Sequence, residues 1–96
     1  MASKITKISL IGIGGAGCNT INRLSDIKHG EIPYINTVAI CTDKTMLSQC
    51  KAKTNILIGE KITEGRGSGG EPEIGERAAK ESAAAIKEAI KGSDIV

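Results

Sequence analysis

The chain has 96 residues and a formal net charge of +2, enough for one small domain and too evenly balanced to mark a nucleic-acid surface. With one tyrosine and no phenylalanine or tryptophan, it lacks the rings on which unpaired bases stack, and its core has to be aliphatic. No apolar run is long enough for a membrane helix, and Cys18, Cys41 and Cys50 show neither C-x-x-C spacing nor paired histidines, which argues against zinc and a disulfide framework.

Ile8-Ser9-Leu10-Ile11 reads as a buried strand, and Thr20-Ile21-Asn22-Arg23-Leu24 as the first turns of a helix. Between them Gly12, Gly14 and Gly17 satisfy G-x-G-x-x-G in the strand-to-helix setting that the motif needs. Glycine lets a ligand approach the backbone, and a helix start offers unpaired N–H groups and a positive dipole end, so the expected ligand is a phosphate. The plain alternative is a tight turn whose glycines serve close packing alone. A Walker A loop is excluded, because Cys18-Asn19 stands where that motif has Lys-Ser/Thr. Phosphate charge must then be met by backbone dipoles and a metal ion.

The helix is expected to fray near Lys28-His29-Gly30, ahead of a connector with Pro33. His29 has no partner in sequence and reads as a solvated helix-end residue. Asn36 to Cys41 is a second buried strand that ends in Thr42-Asp43, near the same crevice as the glycine turn if the strands are parallel. Lys44 to Gln49 forms a turn or short helix with Met46 and Leu47 as packing residues, and Thr54 to Ile58 a third strand. Pattern alone leaves the pairing direction open.

Gly65 to Pro72 is a second glycine-rich stretch, read either as a linker or as a second phosphate loop. Pro72 suits a first helical position, and the alanine-rich helix that follows is expected to run to Lys91 with Gly92 as its stop. Ile74, Ala78, Ser82, Ile86 and Ala89 or Ile90 mark its packed face; Glu73 with Arg77 and Glu76 with Lys80 are exposed pairs worth about 0.2–0.5 kcal/mol each. Ser93-Asp94-Ile95-Val96 reads as the start of a fourth strand, so residues 1–96 are expected to be one partial domain whose open sheet edge invites a dimer. A polar Met1 to Lys7 without a signal peptide, and reduced cysteines, point to the cytosol.

Taken together, these loops and their spacing resemble the N-terminal part of the FtsZ family, tubulin-like GTPases that polymerise at the division site. Gly12 to Asn19 is similar to the family's first nucleotide loop, Thr42-Asp43 to its second, and Gly67-Ser68-Gly69-Gly70-Glu71-Pro72 to its third. The resemblance implies a Rossmann-like three-layer α/β sandwich with a mostly parallel sheet, and GTP or GDP with Mg²⁺ at Gly14, Gly15, Ala16, Gly17, Asn19, Thr42, Asp43, Gly67, Ser68, Gly69, Gly70 and Glu71. Asn19 is expected towards the nucleoside, and Asp43 towards the phosphates and metal through water. Self-association into a polymer is implied for an intact protein, which hydrolyses GTP at a subunit interface. No catalytic residue is assigned here, because the guanine-reading helix and catalytic acidic loop of the family have no counterpart up to Val96. Cys41, Glu64, Arg66 and Glu71 depart from the family's usual Asn, Arg, Leu and Asn; Glu71 would repel a terminal phosphate unless a cation intervenes or it turns to solvent.

Two other readings stand beside this one. The glycine fingerprint with an acid after the second strand also describes an NAD-binding Rossmann unit, although 43 − 17 = 26 residues from Gly17 to Asp43 exceeds the usual ~20. The chain could also serve as a non-catalytic fragment that interacts with a polymer.

Overall fold

The computed structural model describes residues 6–26 and 35–96; the expected helix end at residues 28–30, His29 and the Pro33 connector lie outside them. Strands β1 (Ile8–Ile13), β2 (Ile35–Cys41) and β3 (Thr54–Leu57) form a parallel sheet in the order β1-β2-β3. Ile8 lies opposite Ile35, and Val38 opposite Thr54, which settles the direction the pattern left open.

The central strand explains the layers. Successive side chains on a strand point to opposite faces. From β2, Ala39 and Cys41 join Cys18 and Ile21 of α1 (Gly14–Asp26) and Leu47 of α2 (Lys44–Ser48) in one buried cluster that also holds Cys50. Val38 and Ile40 turn the other way, joining Ile58, with Ala78 of α4 (Pro72–Glu81) and Ile86 and Ala89 of α5 (Ala83–Ile90). A strand covered on both faces needs a continuous apolar run, and that is what β2 carries. The expected three-layer sandwich is therefore present, with a short helix α3 (Glu60–Thr63) following β3.

Two helix boundaries differ from the expected ones. Helix α1 begins at Gly14 rather than Thr20, because Gly14 takes a left-handed φ of 74° and turns the chain within a single residue. The glycine stretch is thus the helix's own first turn. The expected helix from Pro72 to Lys91 is broken at Ser82, whose φ of −106° and ψ of 19° leave the helical range. Its hydroxyl accepts the Gly59 N–H at 3.1 Å, drawing the backbone towards the end of β3. The ladder bends there without stopping, since Ser82 N–H still donates to Ala78 O and Ile86 N–H to Ser82 O. Of the exposed pairs, Glu76 and Lys80 meet at 3.1 Å.

At the chain's end Ile95 bridges Ile8 in parallel on the side of β1 away from β2. Ser9 N–H donates to Ile95 O at 2.9 Å, and Asp94 accepts the Lys7 N–H at 2.8 Å. Ile13, Ile95 and Val96 remain more than half exposed along this side.

Candidate functional site

The glycines of the first motif divide into two kinds. A Cβ on Gly12 would lie 2.7 Å from the Gly17 carbonyl carbon, and one on Gly17 would lie 2.6 Å from the Gly12 carbonyl carbon. Those two glycines allow β1 and α1 to touch, so the packing alternative is correct for them. A Cβ on Gly14 would meet nothing within 4 Å, and one on Gly15 would meet only the side chain of Met46, at 3.0 Å from its sulfur. Gly14 and Gly15, both half-buried, lie at the start of α1, where the first N–H groups of a helix have no partner within it, with open space over Gly14 and Met46 over Gly15. Ala16 and Asn19 are exposed on the same helix, and Gly17 is half-buried.

Thr42 and Asp43 leave the carboxyl end of β2, beside that turn. Asp43 is the N-cap of α2, its Oδ1 accepting the Met46 N–H at 3.1 Å. The second glycine stretch is tied to this pair by backbone bonds. Gly67 N–H donates to Thr42 O at 3.1 Å, Lys44 N–H donates to Gly65 O at 2.9 Å, and Asp43 and Arg66 form an antiparallel bridge. Thr63 adds a side-chain clamp: its hydroxyl donates to Thr42 O at 3.4 Å and accepts the Gly65 N–H at 3.2 Å. Four glycines of the stretch, Gly65, Gly67, Gly69 and Gly70, have positive φ. These bonds and angles make it an ordered loop and set aside the linker alternative.

Ser68 accepts the Glu71 N–H through its carbonyl at 3.2 Å, and Glu71 is the exposed N-cap of α4, making no side-chain cap bond. The Glu71 carboxylate is therefore free to face solvent. Arg66 and Glu64, both highly exposed, approach to 3.8 Å, a separation that contributes little in water. Among the described residues no hydrogen bond joins the first glycine turn directly to the second loop; Met46, on the helix that Asp43 caps, lies between Gly15 and that loop's anchor.

Sequence reasoning missed Thr63 and gave Met46 a packing role only. Neither role can be read locally, since Thr63 ties its own neighbour Gly65 to Thr42, 21 residues back, and Met46 packs against Gly15 of the first motif. A cavity of about 240 Å³ lies at the other end of the strands, lined among others by Lys7, Ser9, Asn36 and Lys53, and takes no part in this site. Among the described residues no His, Cys, Asp or Glu cluster could hold a metal ion by itself. Asp43 offers a carboxylate with one oxygen committed to its cap. That suits Mg²⁺, which commonly keeps several waters and binds through one or two carboxylates plus substrate phosphates.

Parallel strands with glycine-built turns gathered at their carboxyl ends define a Rossmann-like α/β domain whose crevice lies where such folds bind ligands. The model of the tubulin/FtsZ family GTPase domain matches residues 7–96. The chain belongs to the tubulin/FtsZ family. It is 56% identical over 90 residues to cell division protein FtsZ 1 of Methanocaldococcus jannaschii, and 46% identical to that of Pyrococcus horikoshii. In each case 94% of this chain is covered, but only 24% and 23% of the relative, so the chain spans about a quarter of their length. Among solved structures, an empty FtsZ dimer of M. jannaschii superposes with a TM-score of 0.87 at 52% identity, covering 96% of this chain and 26% of that one. A GTPγS-bound protofilament of CetZ2 from Haloferax volcanii gives 0.68 at 26% identity, covering 91% of this chain and 26% of that one. These relatives disfavour the NAD-binding reading.

Proposed function

We propose that the chain is the GTP-binding, N-terminal portion of an FtsZ-like cell-division polymer protein. The observation that carries this reading is the Gly67 N–H bond to Thr42 O, which anchors the second glycine loop on the carboxyl end of β2, beside the first glycine turn. The phosphates of GTP or GDP would lie over Gly14, Gly15, Ala16 and Gly17 on one side and Gly67, Ser68, Gly69 and Gly70 on the other, held by backbone N–H groups. Asn19 would lie towards the nucleoside, Thr42 and Asp43 beneath the phosphates, and Glu71 at the rim. Mg²⁺, where bound, supplies the positive charge that a P-loop lysine gives elsewhere, and Asp43 would reach it through water.

The intact protein hydrolyses GTP where two subunits meet, and this chain alone does not; its Asp43 has one carboxylate oxygen committed to the cap of α2. The Ile8–Ile95 bridge supports a fourth strand beginning beside β1. The intact protein polymerises, while the isolated chain dimerises through the sheet edge that begins at Asp94-Ile95-Val96, where Ile95 and Val96 are exposed. Three free thiols accord with a cytosolic location.

The test is a competition titration in Mg²⁺, with GTP, GDP, ATP and NAD displacing a fluorescent guanine nucleotide from the folded chain. Displacement by GTP and GDP with NAD inert is the expected result. Displacement by NAD alone, or no nucleotide binding by a demonstrably folded chain, would overturn the reading.

A further inference from the structure

The three cysteines, scattered in sequence, converge in space. Cys18 comes from α1, Cys41 from the last position of β2 and Cys50 from just after α2, and all are buried in one cluster with Ile21, Ala39 and Leu47. Their neighbours distinguish one pair from the third thiol. Asn22 lies one helical turn after Cys18, on the same face of α1. Its carboxamide donates to Gln49 O at 3.3 Å and accepts the Lys51 N–H at 2.7 Å, gripping the residues on either side of Cys50. One turn back, that grip sets Cys18 against Cys50, whose thiol donates to the Cys18 carbonyl at 3.9 Å. Cys41 borders Cys18 as well, but its sulfur also accepts the Asp43 N–H at 3.4 Å, a bond that the Cys50 sulfur does not make.

We propose that Cys18 and Cys50 are a thiol modification site, closed into an intramolecular disulfide by exchange with a low-molecular-weight disulfide, with Cys41 left reduced. Cys50, at 8% exposure against 2% for Cys18 and at the edge of a five-residue helix, is the first to meet the reagent. Its sulfur attacks one sulfur of the small disulfide, and the first small thiol leaves with the Cys50 proton. Cys18 then attacks the Cys50 sulfur of the mixed disulfide, and the second small thiol leaves with the Cys18 proton. Two protein thiols are oxidised and one external disulfide is reduced. Burial and the neighbouring thiols of Cys50 and Cys41 push the Cys18 thiol up to about 12, which makes it the slower partner and the second to react. The bond would tie the first turns of α1 to the end of α2, the helix that sets Met46 against Gly15.

The probe is oxidised glutathione, added to the folded chain and followed by acid quench, thiol titration in denaturant and peptide mapping. The expected result is a fall from three titratable thiols to one, a Cys18–Cys50 linked peptide, and a midpoint of thermal unfolding raised by several degrees through the closed loop. Cys50→Ser should abolish the loss of both thiols, and Cys41→Ser should leave the linkage intact. Three thiols remaining after prolonged exposure, a stable glutathione adduct, a bond between chains, or a linkage through Cys41 would overturn the proposal. Mapping on the unsubstituted chain decides the matter even if a variant fails to fold.

Discussion

Gly12 and Gly17 face one another across the turn from β1 into α1, and a Cβ on either would overlap the other's backbone. The obstacle is main chain, which cannot rotate away as a side-chain tip would. Gly17→Ala should therefore cost about 1–3 kcal/mol or more of folding stability. Gly14→Ala has open space and pays only for its left-handed φ, about 1–2 kcal/mol. Urea unfolding of both variants checks this, and equal midpoints would show that the two glycines do not differ in role.

Asp43 has two duties that substitution can separate. Asp43→Ala removes the cap on Met46 N–H and should lose about 0.5–2 kcal/mol. Asp43→Asn keeps a capping oxygen and removes the charge, so stability should hold while any Mg²⁺ enhancement of GTP binding falls severalfold. Titrations with and without Mg²⁺ on a folded Asp43→Asn chain test the second duty apart from the first.

Ser82 breaks the long helix because its hydroxyl serves Gly59. In Ser82→Ala the Gly59 N–H, at a buried glycine, loses its acceptor, and the expected cost is about 1–3 kcal/mol. Amide exchange at Gly59 should accelerate in step with the loss. Unchanged exchange would mean that the bond does not hold the bend.

Alkaline pH should weaken the fold through Cys18. Its folded-state pKa is raised from 9.0 to about 12, chiefly by burial and then by the Cys50 thiol, so the contribution is complete below pH 9, where both states keep the proton. As pH rises from there towards about 12, the unfolded chain gives up its proton first. Stability then falls by up to about 1.4 kcal/mol per pH unit. Denaturant midpoints at about pH 8 and about pH 10 should diverge more for the parent chain than for Cys18→Ala. Parallel profiles would remove Cys18 as the cause.

Much of this protein is legible from local sequence, and for a local reason. A β-branched apolar run such as Asn36 to Cys41 has few alternatives to a buried strand, and glycines such as Gly14, Gly67, Gly69 and Gly70 announce positive φ, which other residues resist. The family resemblance rests on those same loops, and the matching family model extends it from residue 7 to residue 96. What only the tertiary structure decided depends on partners distant in sequence. Gly12 and Gly17 are packing glycines because β1 and α1 touch there, whereas Gly14 in the same motif stays open. Thr63 becomes a clamp only once α3 lies beside the end of β2, and Ser82 bends its helix only because Gly59 lies within reach. The three cysteines, unpaired by any spacing rule, meet because α1, β2 and the end of α2 share one face of the sheet. Backbone preference is written residue by residue, but which side chains meet is settled by how the strands align and which helix covers which face.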